Sequence, residues 1–197
     1  MEKRNWKHIV TLKQRMVLCL AAFFAAFALQ LALNGYQARA VQQVQDDQMG
    51  NFNAISRFQG GVESSISILE AYRWENGETE EMLEKLQAAC STSNAWLWRI
   101  RSNMDGLQNV SDEQWVLYGA VETTYGSYNT LLEELESYLS SGQEAKASQL
   151  YYNKVSVCGG YLSQYTMQLL KASILDAQTT YTEISELGER IALMQIE

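Results

Sequence analysis

The chain of 197 residues contains no proline and a single histidine. Proline breaks helices because it lacks a backbone N–H and clashes with the preceding turn, so only glycine is left here to interrupt them. The histidine, His8, lies ahead of a long apolar segment. The residues after that segment therefore lack histidine-based nucleophilic triads and most metal sites. We expect no catalytic residue, no metal and no cofactor in this chain.

Cysteine is also scarce, with three residues. Cys19 lies inside the apolar segment and is expected to be an ordinary membrane-buried thiol. Cys90 and Cys158 lie beyond it, where an oxidising exterior would permit a disulfide if the helices that carry them are neighbours. Two buried free thiols are the alternative, because free cysteine is common in protein cores.

Basic residues are few in the long C-terminal part of the chain. Residues 41–197 carry 22 acidic and 9 basic side chains, a net charge of −13. A nucleic-acid partner is not expected, because binding requires a basic surface that neutralises phosphates. The acidity suits solubility, and the length suits one domain with a sizeable core.

One long apolar run is present, from Met16 to Leu33, and Gln30 is its only polar residue. A helix needs about 17 to 25 mostly apolar residues to cross a bilayer, so residues 16–35 are predicted to form a transmembrane helix. The tail, residues 1–15, holds five basic residues. By the positive-inside rule the N-terminus is cytoplasmic and the bulk, residues 36–197, is extracytoplasmic, which predicts a single-pass protein of the cell membrane.

A cleaved signal peptide is the rival interpretation of this run, because Ala38-Arg39-Ala40 resembles a small-x-small cleavage site. The apolar core is longer than the roughly 7 to 15 residues usual for such peptides, which favours the membrane anchor.

Turn and capping signals divide the remainder into four helices, about 36–75, 79–105, 112–140 and 143–195. Asn76-Gly77 ends the first, and Thr79 is expected to cap the second. Ser111 with Gln114 and Ser141 with Glu144 form capping boxes for the third and fourth.

Short connections predict an all-α fold in which an N-terminal transmembrane helix precedes an up-down-up-down four-helix bundle. The first and last helices are longer than the other two, so their surplus should form a two-helix stalk next to the membrane. Seam positions in this stalk are expected to transmit a signal, with plain helix packing as the alternative role. They are Val41, Val44, Ile184, Leu187 and Ile191.

This organisation resembles the input half of bacterial transmembrane receptors with four-helix-bundle sensors, as in sensor histidine kinases and chemoreceptors. The resemblance rests on the basic tail and anchor through Leu33, on the long first helix, and on the passage from the third to the fourth helix. In that passage an acidic-aliphatic helix end is followed by a glycine-containing turn and by a last helix that carries alanine and leucine. The residues are Leu131-Leu132-Glu133-Glu134-Leu135, Tyr138-Leu139, Ser141-Gly142, Ala145 and Leu150-Tyr151. It implies a homodimer that pairs through its long helices and responds to a small-molecule or protein ligand. It also implies a second membrane helix and a kinase domain beyond Glu197.

The candidate ligand site is a set of arginines and tryptophans, because arginine clamps carboxylates or phosphates and tryptophan supplies an apolar wall. Its members are Arg73, Trp74, Trp98, Arg99 and Arg101. Surface salt bridges with the many glutamates are the alternative for the arginines. Trp96 and Trp98 lie about 200° apart around a helix, so one is expected to be core and the other exposed.

These features predict a sensory module of a two-component signal-transduction system, truncated before the kinase domain. The alternatives are a chemoreceptor input domain or a single-pass membrane-anchored binding or scaffold protein complete in itself.

Overall fold

The computed structural model describes residues 12–72, 78–107 and 110–194. The described residues form helices and no strand, which confirms the all-α prediction. The elements are α1 (Leu12–Ala71), α2 (Thr79–Gly106), α3 (Asp112–Ser140), α4 (Glu144–Leu150), a π-helical segment (Tyr151–Val155) and α5 (Ser156–Met194).

The chain divides into two compact units, Met1–Gln43 and Val44–Glu197. In the first unit the apolar side chains are exposed, for example Phe23 and Leu29. The stretch Cys19–Ala71 contains an 18-residue window with mean hydropathy 1.6 and no buried residue. Among the described residues it is the one helix that is long and apolar enough, by length and composition, to cross a membrane.

The core of the second unit includes a seven-residue repeat on α1. Ile55, Val62 and Leu69 are at most 1% exposed. Val155 at the end of the π-helical segment and Leu162 and Leu169 on α5 repeat the same spacing and are equally buried. A seven-residue spacing keeps side chains on one side of a helix, so both helices direct a continuous apolar stripe into the core.

Contacts between the helices pair residues in opposite chain order. On α1 and α5, Asn51 bonds Ser173 while Ile66 lies against Gly159. The same opposite order relates α1 to α2 and α3 to α5. The contacts are Gly61 with Ser93, Arg57 with Trp96, Thr124 with Cys158 and Ser111 with Asp176.

The predicted capping box at the start of α3 forms only one of its two hydrogen bonds. Ser111 Oγ accepts a hydrogen bond from the Gln114 N–H at 3.3 Å. The reciprocal bond from Gln114 to the Ser111 N–H is absent, because Asp176 Oδ2 on α5 accepts from that N–H at 3.1 Å. A tertiary contact therefore replaces the second half of the capping box.

Two other predicted caps are wrong. The N-cap of α2 is Glu78, and the Thr79 hydroxyl instead pairs with Tyr72 Oη at 2.8 Å. The N-cap of α4 is Gln143, because Ser141 ends α3 and donates to the carbonyl of Ser137 at 2.8 Å.

The predicted fourth helix, 143–195, is interrupted by the π-helical segment, which inserts one wider turn between α4 and α5. No break separates the predicted membrane helix from the predicted first outer helix, because α1 runs through both. The Asn76-Gly77 turn lies outside the described residues.

Candidate functional site

The three members of the predicted arginine–tryptophan set that the structure describes lie exposed on α2. Trp98 is 68% exposed on α2, and Arg99 and Arg101 are also exposed. Arg101 Nη1 lies 3.5 Å from Glu122 Oε1 on α3, a surface ion pair of the kind expected to contribute little stability. Arg73 and Trp74 lie outside the described residues.

Trp96 and Trp98 separate as their spacing predicts. Trp96 packs against the core, and the guanidinium of Arg57 on α1 lies 5.9 Å from its ring centroid. The cation–π contact links α1 to α2, and Arg57 itself is exposed.

Two buried tyrosines of α3 bond neighbouring helices, and one of them, Tyr125, also lines a cleft between α2 and α3. Tyr125 donates to the carbonyl of Cys90 at 2.8 Å, and Tyr128 Oη lies 3.0 Å from Ser65 Oγ. Burial raises the pKa of Tyr125 to about 12. These hydroxyls stay neutral at physiological pH and act as hydrogen-bonding groups between helices.

The thiols of Cys90 and Cys158 are both free in the structure. The Cys158 Sγ donates a weak hydrogen bond to the carbonyl of Thr124 at 3.7 Å. Burial raises the pKa of Cys90 to about 11, so its thiol is protonated and unreactive near neutral pH.

The predicted stalk residues are described only in part. Val41 and Ile184 are partly buried. Val44, Leu187 and Ile191 belong to helices α1 and α5, but their side chains lie outside the described part of the structure.

A groove with a volume of about 780 Å³ lies between α1 and α5. None of the residues that line it carries a formal charge. They are Gln48, Met49, Phe52, Ser173, Ile174, Ala177, Gln178, Tyr181 and Thr182. Such a surface, mainly apolar with a few neutral polar groups, favours an uncharged or apolar partner.

The buried polar pair Asn51 and Ser173 lies at this groove. Asn51 is fully buried, and its Nδ2 donates to Ser173 Oγ at 3.2 Å. The Asn51 Oδ1 atom has no hydrogen-bond partner. A buried amide oxygen without a partner costs about 1–3 kcal/mol, so this layer of the unit is held less tightly than the apolar layers beyond it.

A second, polar cleft of about 440 Å³ lies between α2 and α3. Gln87, Asn94 and Asn129 offer amides there, and Glu133 and Glu136 offer carboxylates. Among the residues that the structure describes, no group of histidine, cysteine or acidic side chains could hold a metal ion.

Sequence reasoning missed the α1–α5 groove, although a signal was present. Met167, Ile174 and Tyr181 recur every seven residues on α5, in addition to the buried stripe of Val155, Leu162 and Leu169. A second heptad stripe on one helix indicates a second apolar contact. No protein-family model, curated protein or solved structure matches the chain.

Proposed function

We propose that this chain is the membrane-anchored sensory module of a bacterial signal-transducing receptor of the sensor histidine kinase type. In this proposal residues 16–35 cross the cell membrane with the N-terminus in the cytoplasm. Residues 36–197 form an extracytoplasmic up-down-up-down four-helix bundle that pairs as a homodimer. The resemblance to such sensors described above supports this assignment.

The observation that carries the proposal is the distribution of apolar surface along α1. Its N-terminal part is exposed and apolar without a buried residue, whereas its C-terminal part carries a buried heptad stripe. Exposed apolar surface of this length needs an apolar solvent, and lipid supplies one. One helix thus joins a segment suited to a bilayer to a packed, acidic helical unit.

The pairing of α1 with α5 supports a signalling role. The Asn51–Ser173 contact joins these helices in a layer that contains an unpaired buried amide oxygen. Two packed helices with an imperfect polar layer can adopt discrete alternative arrangements, and shifts of about 1–2 Å between them suffice for transmission. In this mechanism α5 carries the displacement toward the membrane.

Orientation is tested with a chain in which all three native cysteines are replaced by alanine. Trp98→Cys should react with a membrane-impermeant maleimide on intact cells, because the position is exposed on α2. Lys7→Cys should react only after lysis, because the basic tail faces the cytoplasm. Labelling of both positions on intact cells would contradict the proposed topology.

Signalling is tested with a chimera that joins residues 1–197 to the second membrane helix and cytoplasmic half of a characterised histidine kinase. Asn51→Cys with Ser173→Cys places two thiols on facing positions of α1 and α5, because the native Nδ2 and Oγ atoms lie 3.2 Å apart. Disulfide formation on oxidation is checked first by the shift on a non-reducing gel. Oxidation should change phosphorylation of the response regulator, and a reductant should restore it. Equal output in the two states would favour the alternative, a membrane-anchored binding or scaffold protein.

A further inference from the structure

The outer flank of α5 carries a heptad stripe that the second unit leaves uncovered. Met167, Ile174 and Tyr181 are 52%, 40% and 64% exposed. Leu170, Ala177 and Ile184 lie three residues after each of them and are partly buried. The alternating steps of three and four residues are those of the a and d positions of a coiled coil.

This stripe is separate from the core-facing stripe on the same helix. Met167 precedes the buried Leu169 by two residues and therefore lies about 200° from it around α5. A helix that packs only against its own domain needs one apolar stripe, so the second one indicates a second packing partner. Met49 and Phe52 of α1, 60% and 37% exposed, extend the apolar surface across the groove.

The distribution of charged residues indicates which partner fits this face. Residues 41–197 carry a net charge of −13, which makes two copies of this unit repel each other over most of their surface. The groove is an exception, because none of the residues that line it carries a formal charge. The one acid between Met167 and Tyr181 is Asp176, and its carboxylate accepts a hydrogen bond from the Ser111 N–H at the start of α3.

We propose that this face is where a second copy of the chain docks, with the two α5 stripes packed parallel and in register about a two-fold axis. The proposal rests on the membrane-anchored sensor described above, because two copies anchored by the same segment run in the same direction. It assigns the homodimer contact to α5 and the neighbouring part of α1. The seam of α1 at Ile55, Val62 and Leu69 is excluded, since it is already buried within one protomer.

The size of the face sets the expected affinity. The five exposed apolar side chains present roughly 500 Å² per protomer, or about 1,000 Å² for the pair, at the low end of specific interfaces. Two copies that are not held in one membrane would associate only weakly. Confinement of both copies to one membrane raises their effective concentration, so the anchored chain dimerises where a dilute detergent-solubilised chain dissociates.

The experiment is disulfide cross-linking of the full-length chain in membranes, with the native cysteines replaced by alanine. Ile174→Cys and Tyr181→Cys should each give a cross-linked dimer, because equivalent seam positions face each other in a parallel pair. Val116→Cys on α3 is the control, since its side chain is 72% exposed but lies on another helix. We expect a dimer yield at least roughly fivefold higher at the two α5 positions than at the control.

A charge test uses Tyr181→Cys as the reporter. Adding Ile174→Glu should abolish the cross-link, because two carboxylates would meet at the seam, whereas adding Val116→Glu should leave the yield unchanged. Ile174 is partly solvated in the protomer, so its replacement should preserve the fold, which circular dichroism checks. Ile174→Ala, which shortens the side chain without charge, should lower the yield less.

Two results would overturn the inference. Dimers that cross-link through Val116→Cys and not through α5 would show that copies pair elsewhere, and the proposed sensor would stand. A chain that is monomeric in membranes, and that enhances the fluorescence of the uncharged probe N-phenyl-1-naphthylamine unless Ala177→Trp fills the groove, would show a small-molecule site instead. A monomeric chain would also remove the homodimer from the proposed function, whereas the topology and disulfide-lock tests judge its membrane anchor and its signalling separately.

Discussion

Helices α1 and α2 approach each other closely at Gly61. A Cβ added there would collide with Ser93 Oγ, although it would lie 3.4 Å from Ser93 Cβ, an ordinary contact. Ser93 is 1% exposed, and its hydroxyl donates to the carbonyl of Ala89 at 3.0 Å. The side chain therefore has little room to move away without losing its hydrogen bond.

Gly61→Ala combines two opposing effects. Alanine is favoured over glycine in a helix interior by about 0.8–1 kcal/mol. Overpacking of a dense core costs about 1–3 kcal/mol. The difference is a net loss of up to about 2 kcal/mol in the free energy of unfolding, because the collision costs at least as much as the propensity provides.

The neighbouring Gly60 is a matched control, since an added Cβ would meet nothing within 4 Å. Gly60→Ala should raise the free energy of unfolding by about 0.5–1 kcal/mol, the propensity alone. In a Ser93→Ala background the colliding oxygen is gone, and Gly61→Ala should become stabilising as well. The double-mutant cycle should then give a coupling energy of about 1–3 kcal/mol.

The assay is urea unfolding of the full chain in detergent micelles, followed by circular dichroism at constant m-value. Equal stabilisation by Gly61→Ala and Gly60→Ala would refute the argument, because it would mean that α1 and α2 do not approach closely at Gly61. A destabilisation by Gly61→Ala that persists in the Ser93→Ala background would refute the assignment of the collision to the serine oxygen.

Three further predictions concern the same unit. Gly159→Ala should lower the unfolding midpoint in urea, because its Cβ would lie 3.2–3.3 Å from side chains of α1 and α3, whereas Gly160→Ala, with open space, should not; equal effects would contradict the tight crossing. Asp176→Ala should destabilise by about 1–2 kcal/mol, because the Ser111 N–H loses its acceptor, and Asp176→Asn, which keeps an oxygen, should lose less; identical losses would show that the bond contributes nothing. Tyr125 has a pKa of about 12 in the folded protein against an ordinary value of 10.0, so its contribution to stability is full below pH 10 and falls as pH rises from 10 to 12. The melting temperature of Tyr125→Phe should therefore decline less steeply over this pH range than that of the unsubstituted protein, and an equal slope would contradict the burial of this hydroxyl.

Local signals predicted the helices well. The boundaries of α2 and α3 follow from Ser111, from the acidic first turns and from the glycines near the helix ends, and each agrees with the structure to within about a residue. The buried stripe of α1 follows from its seven-residue spacing. The π-helical segment escaped prediction, because Tyr151–Val155 differs from an ordinary helix only in its hydrogen-bond register.

The candidate ligand site stays a prediction, and its described members lie apart from the α1–α5 groove. Arginine and tryptophan were chosen by residue type, yet Trp98 and Arg101 lie on the open surface of α2, away from the α1–α5 groove. At the start of α3, the hydrogen bond from the Ser111 N–H to Asp176 joins positions 65 residues apart, so local spacing gives no sign of it. Residue type indicates which chemistry a side chain can perform, but not which neighbours it has.

The sequence by itself determined the helical content, the bounds of α2 and α3, and the apolar segment suited to a membrane. These depend on spacing and composition within a few turns of helix. Only the tertiary structure decided which of the two heptad stripes on α5 is core and which is free. The two stripes are alike in residue type, and packing against α1 and α3 covers Leu162 and Leu169 while leaving Ile174 and Tyr181 exposed.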